Sequence, residues 1–226
     1  MSDEFKSIEA IRKEEMKNKK KNSISPQIIE LLKNTLIMLC IALVAGGILG
    51  FVYEITKDPI AMRVAEQKKI ANQQVFMLAS DFSDSMVNSP TLVSGFDGVD
   101  ITDCLEAYDT EHNLLGYVIE VTSHEGYGGD IVFRIGIESS GNINAISITS
   151  ISETAGLGMR APEVLAPQFR NRNELSFEVV KTGSVADNQI DAISSATITS
   201  KAVTKGVNAA LAYFRESLMG VMNYES

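Results

Sequence analysis

Twenty consecutive residues without a charge, Asn34 to Tyr53, constrain this chain more than any other feature. At about 1.5 Å rise per residue a helix of that length reaches ~30 Å, the thickness of a bilayer's hydrocarbon core. Lys33 and Glu54 bracket the run. Gly46, Gly47 and Gly50 weaken a helix in water but are common in membrane helices, where small residues permit close helix contact. Residues 1–33 precede the run, too many for the n-region of a secretory signal. Ile37-Met38-Leu39 before Cys40 lacks the small residues of a lipoprotein cleavage site. The expectation is a retained single-pass anchor over 34–53.

Charge sets the expected orientation. Residues 1–33 hold eight Lys/Arg against six acids, a net of +2, so the rest of the chain carries 12 against 23, a net of −11. Lys17, Lys19, Lys20 and Lys21 form a cluster that the positive-inside rule keeps in the cytoplasm. The reading is a cytoplasmic basic tail over 1–33 and a domain outside the membrane. The whole-chain charge of −9 argues against a nucleic-acid partner, because phosphate neutralisation needs a basic surface. Two cysteines and two histidines are a poor ligand supply for a protein-bound metal centre, and no metal is expected.

The remainder reads as an α+β domain. A helical pattern runs from Ile60 to Leu78 after Pro59, with Val64, Ala71, Val75 and Leu78 as its apolar positions. Asp81–Asp100 is rich in Ser, Asp, Gly and Asn and reads as loop, so 54–100 is expected to be a helical and loop connector. Strands are expected over Leu105–Tyr108, Gly116–Thr122, Ile131–Ile137 and Ile143–Ile151, the last two joined at Ser139-Ser140-Gly141-Asn142. A short helix over Ala161–Arg170 and a strand over Leu175–Val180 follow. Val203, Val207, Ala210, Leu211, Phe214 and Leu218 then mark a helix from Thr199 to about Met219.

Three stretches differ from generic scaffold. They are Gly126-Tyr127-Gly128-Gly129-Asp130, Glu153-Thr154-Ala155-Gly156-Leu157-Gly158, and Asp191 to Ser200, which runs into the last helix. Glycines at strand ends let backbone approach a ligand closely. A Ser/Thr cluster at a helix start serves either as an N-cap or as an anion site, where free N–H groups and the helix dipole point outward.

Together these stretches resemble the FMN-binding domain found in the G subunit of the Rnf electron-transport complex and in the C subunit of the sodium-pumping NADH:quinone oxidoreductase. The resemblance covers the chain from the anchor to the final helix. It implies an N-terminal transmembrane helix followed by an extracytoplasmic mixed α+β FMN-binding domain, placed here at 101–226. It also implies FMN joined by a phosphoester to Thr197, installed by a flavin transferase that uses FAD. Asp191, Ser194, Ala196 and Thr197 are the transferase's recognition positions. Two residues depart from the family pattern: Ser195 stands where Gly is usual, and Ala155 where Pro is usual.

The remaining expected cofactor contacts, read from what a flavin ring and a phosphate need of nearby residues, are Glu153, Thr154, Gly156, Leu157 and Gly158, with Ser194, Ser195, Ala196, Lys201, Tyr127, Gly128 and Gly129. Leu157 is the expected ring contact, and Thr154 the hydrogen bond to a ring edge. Glu153 either orients its loop or is a solvated surface acid; Lys201 either neutralises phosphate or decorates the helix. His112 and His124 are assigned no role.

Nothing in the sequence supplies a substrate pocket with a general acid–base pair, so no catalytic residue is named. The implied function is that of an anchored electron carrier in a ferredoxin:NAD oxidoreductase that translocates ions, with no turnover alone. The implied partners are the flavin-carrying D subunit and the iron–sulfur A and E subunits of the Rnf complex. The C subunit of the quinone reductase is the alternative, as is an extracytoplasmic sensory domain without covalent flavin.

Overall fold

A computed structural model describes residues 12–14 and 26–219. The chain divides into two compact units, residues 1–62 and 63–226.

In the first unit, helix α1 begins at Pro26 and carries the uncharged run. Every residue from Gln27 to Met62 is exposed, large aliphatic side chains such as Leu36, Leu43 and Leu49 included. An apolar helix with no protein cover is long enough to be a candidate membrane span. The sequence suggests a fresh helix after Pro59, and the structure differs. Helix α1 is continuous from Pro26 to Val75, with Pro59 inside it. Proline removes one backbone donor there, a loss of one bond in a helix of 50 residues.

The second unit is built on an antiparallel sheet. Its long strands are β3 (Val99–Tyr108), β4 (Leu114–Ser123), β5 (Ile131–Glu138) and β6 (Ile143–Ser150), neighbours in that order. Two short strands, β1 (Asp81–Phe82) and β2 (Thr91–Leu92), lie within the stretch read as loop and pair with opposite ends of β3. Ile131, Phe133, Ile135 and Ile137 of β5 are fully buried on one face, as period-two alternation requires. They join Val203, Val207, Ala210, Leu211 and Phe214 of the C-terminal helix in one core. That helix, α3, spans Thr197–Tyr213 and passes into a π-turn over Phe214–Leu218.

Between sheet and helix, the stretch read as one short helix is a single α-turn, α2 (Ala161–Val164), flanked by 3₁₀ turns over Gly158–Arg160 and Ala166–Phe169. Pro167 cannot donate the bond that would continue α2. A parallel pair, β7 (Glu178–Val180) with β8 (Gln189–Asp191), completes the fold. Amide side chains stand in for missing neighbours on both edges. Asn208 bonds the N–H and C=O of Phe177 at 2.7 and 2.9 Å, and Gln168 bonds those of Asp191 at 2.8 and 3.1 Å. The Asp191 carboxylate in turn accepts from Ser184 N at 2.8 Å.

The opposite sheet face meets the end of α1. Val75, Phe76 and Ala79 pack on Leu105, Ala107, Val118 and Ala145. Beside them Arg134 is 1% exposed. Its guanidinium donates to Glu120 Oε2 at 3.0 Å, to Asp103 Oδ2 at 2.7 Å and to the Asn72 side-chain oxygen. Lys68 approaches Glu120 at 3.6 Å. Truncating one partner of a buried ion cluster leaves the others desolvated and unpaired, at a cost of about 3–5 kcal/mol. Arg134→Ala is expected to lose stability in that range by urea unfolding. A loss below about 1 kcal/mol, the scale of an exposed pair, would mean that water reaches the carboxylates.

Candidate functional site

The three stretches singled out in the sequence converge on one cavity of about 470 Å³. Its walls are Tyr127 from the first stretch, Glu153, Thr154, Leu157 and Gly158 from the second, and Ser195 to Thr199 from the third. The volume falls in the range of small-molecule sites.

The third stretch starts α3. Ala196 is the N-cap residue, and no side chain caps the helix. The residues of its first turn, Thr197, Ile198 and Thr199, line the cavity, where the positive end of the helix dipole lies. The helix begins two residues before the predicted Thr199, because the chain reverses at Ser195 with φ +63°. That is a left-handed conformation, which costs a residue with a Cβ about 1–2 kcal/mol. Ser200 secures the turn from beneath: its buried hydroxyl accepts from Ile193 N and donates to Ala196 O, both at 2.9 Å. Thr197 stays exposed.

The second stretch closes against that helix start. Leu157 N donates to Thr154 O at 3.1 Å, forming the turn that sets Leu157 in the wall. Gly158 is the contact point. A Cβ there would come within 2.6 Å of Thr199 Oγ1 and 2.7 Å of Glu153 Cβ, so only glycine permits this approach. The first stretch is tied to the second by Glu153, whose Oε1 accepts from Tyr127 N at 2.8 Å and from Gly128 N at 3.4 Å. Gly128 lies so close to Ser152 O that a Cβ would come within 1.9 Å of it.

Gly128, Gly129, Gly156 and Ser194 lie outside the lining, in or beside the loops that shape it. Asp191 sits one strand back, spent on Ser184. Lys201 is exposed and borders a different depression, with Phe177, Glu178 and Lys205. Ile198 and Thr199 are lining residues that motif reading omits; they follow Thr197 in the first turn of α3, and no spacing in the sequence marks them as facing a cavity. Among the described residues no cluster of His, Cys, Asp or Glu is arranged to hold a metal ion. Cys104 is buried, and burial, with Asp103 and Glu106 nearby, pushes its thiol up to about 12.

The residues fit a flavin mononucleotide. An uncapped helix start suits a phosphate, Leu157 offers an apolar surface, and the glycine contacts let backbone form the walls.

Known proteins resemble the chain in the same places. Residues 126–212 match the family described as FMN-binding domain, and residues 16–75 match the family described as RnfG N-terminal region. The G subunit of the Na⁺-translocating ferredoxin:NAD⁺ oxidoreductase complex of Acetobacterium woodii is 30% identical over 205 residues, covering 88% of this chain and 98% of that protein. The G subunit of the proton-translocating ferredoxin:NAD⁺ oxidoreductase complex of Clostridium ljungdahlii is 33% identical over 169 residues, covering 74% and 83%. The crystal structure of Shewanella oneidensis NqrC is similar at a TM-score of 0.46 and 14% identity, covering 62% of this chain and 70% of that one.

His124, given no role by the sequence, closes the neck of the first loop. Its Nδ1 lies 2.9 Å from Asp130 Oδ1 and its Nε2 3.1 Å from Asp100 Oδ2. The bond to Asp130, then that to Asp100, raises its pKa above the usual 6.5. Both ring nitrogens donate only in the protonated form. A pKa raised on folding contributes stability that is complete below the unfolded value and is lost as pH rises through the folded one. The His124 ring is therefore expected to titrate above 6.5 by NMR, and Asp130→Asn to bring that midpoint down. A midpoint unmoved by Asp130→Asn would mean that the pair does not form in solution.

Proposed function

The chain belongs to the family of the G subunit of Rnf-type ion-translocating oxidoreductase complexes, and we propose that it is the anchored flavoprotein electron carrier of a ferredoxin:NAD oxidoreductase, with FMN joined to Thr197. The observation that carries this reading is the position of Thr197. It is exposed, stands first in an uncapped helix and borders a cavity that all three motif stretches line.

FMN supplies the electron chemistry when bound. The chain's own residues supply attachment and shape. In maturation the Thr197 hydroxyl would accept the flavin-mononucleotidyl group of FAD, giving up its proton as AMP leaves, so that one phosphoester would replace one pyrophosphate bond. The first turn of α3 holds the phosphate oxygens. Leu157 would pack on the ring and Thr154 would offer a hydroxyl to its edge, since both line the cavity. Attachment through phosphate leaves the ring to be tuned by packing and charge alone. The D, A and E subunits are the electron partners on this reading, and the flavin transferase is the partner in maturation.

Thr197→Val removes the hydroxyl and keeps the shape. Coexpressed with a flavin transferase, the wild-type protein is expected to carry the FMN mass increment and to fluoresce after denaturation. The variant is expected to lose both while remaining folded. Ser195→Gly, which relieves the left-handed strain, is expected to label at least as well as wild type. Flavin persisting on denatured Thr197→Val would reassign the acceptor.

The proposed orientation puts the basic tail in the cytoplasm and the domain outside. An Asn88→Cys substitution at that exposed site, in a Cys104→Ser background, is expected to react with a membrane-impermeant maleimide in intact cells. Protection until lysis would reverse the topology.

A further inference from the structure

Among the described residues that line the cavity, Glu153 is the one carboxylate. It is held in place. Tyr127 N and Gly128 N donate to its Oε1 at 2.8 and 3.4 Å. Its stem lies against Gly158, where a Cβ would come within 2.7 Å of Glu153 Cβ, and Gly158 abuts Thr199. Loop, turn and helix start thus fix one negative charge in the cavity wall. A solvated surface acid has no such fixation.

We propose that Glu153 sets the reduction potential of the flavin, holding it lower than the cavity would otherwise give. The inference rests on the reading that this cavity holds FMN. Each electron delivered from the oxidoreductase's donor without a proton adds one negative charge to the flavin. A carboxylate fixed in the same wall opposes that charge, and opposes it more strongly where water is partly excluded. The first turn of α3 acts with the opposite sign, since its N–H groups favour negative charge. The cavity therefore presents two fixed poles, and the carboxylate is the one a single substitution can remove. Of the other charged groups near the loops, Lys205 pairs with Glu125 and Asp130 with His124.

The test is a redox titration of the full-length protein, coexpressed with the transferase, as wild type, Glu153→Gln and Thr154→Asp. Intact mass first establishes that flavin is attached. The Glu153→Gln side chain keeps a carbonyl oxygen for the amides of Tyr127 and Gly128, so their hydrogen-exchange protection in flavin-free protein is expected to stay while the charge is gone. The midpoint of Glu153→Gln is expected to rise by about tenfold in the one-electron equilibrium, roughly 59 mV. Thr154→Asp, which adds a carboxylate to the same wall, is expected to move it the other way.

Flavin-loaded Glu153→Gln titrating like wild type would overturn the proposal. So would a folded Glu153→Gln protein that cannot hold flavin, which would make the residue a binding element. Were Glu153→Gln not to fold, Thr154→Asp decides alone, and an unmoved midpoint overturns the proposal. Wild-type protein without flavin fails before any titration and overturns the functional reading, with this inference beside it.

Discussion

A helix of 17 residues that begins with no side chain on its first amide groups carries a concentrated partial charge into whatever space lies ahead of it. Most helices cover that end with Ser, Thr, Asp or Asn. Here the N-cap residue is Ala196, which cannot, although hydroxyls stand on both sides of it at Ser195 and Thr197. Ser200 is the hydroxyl that stabilises the turn, and it does so from the buried side. The solvent side is left open. The strained Ser195, the approach at Gly158 and the loop bond of Glu153 are all arranged around that open end.

The far face of the sheet solves a different problem. A buried guanidinium costs several kcal/mol in lost hydration unless its donors are met. Arg134 meets Glu120 on the neighbouring β4, Asp103 on β3 one strand further, and Asn72 on α1. Those partners are separated in sequence by up to 62 positions, so the cluster exists in one arrangement of strands and helix only. Asn144 adds a bond to Val75 O at 2.5 Å, finishing a carbonyl at the end of α1. Apolar alternation already opposes a one-residue slip, which would turn the buried face of β5 outward, and paired charges at fixed positions oppose a two-residue slip as well.

Long periodic segments were legible from sequence, and for physical reasons. The core face of β5 and the buried stripe of α3 each repeat at the spacing of their own backbone, so the order of apolar residues alone reveals them. The meeting of the three motif stretches was legible through resemblance, since nothing in their spacing says that Gly158 touches Thr199. What stayed hidden depends on tertiary context. Arg134 on the polar side of a strand looks like an ordinary surface residue until α1 covers it. His124 is an anonymous loop histidine until β3 brings Asp100 beside it. The continuity of α1 through Pro59 contradicts a local rule that holds for isolated helices. The three-residue strand β8 is too short to show a period, and only its partner β7 and Gln168 reveal it.

The shape of the cavity bears on why a cofactor there would be tethered. Tyr127 is 72% exposed and Ile198 53%, so two of its walls stand largely in water. A small-molecule site that retains its ligand by contact alone encloses most of the ligand's surface. An open site loses that enclosure, and with it the apolar burial that offsets the entropy of holding a free molecule. A covalent bond such as the one proposed at Thr197 would remove the need, since a ligand already joined to the chain has no translational freedom left to lose. Openness then becomes useful, because an electron carrier must bring its ring close to a donor and afterwards to an acceptor. Glu153 and Leu157, both half-buried, are the more sheltered part of the lining, and there a fixed charge would act most strongly on whatever the cavity holds.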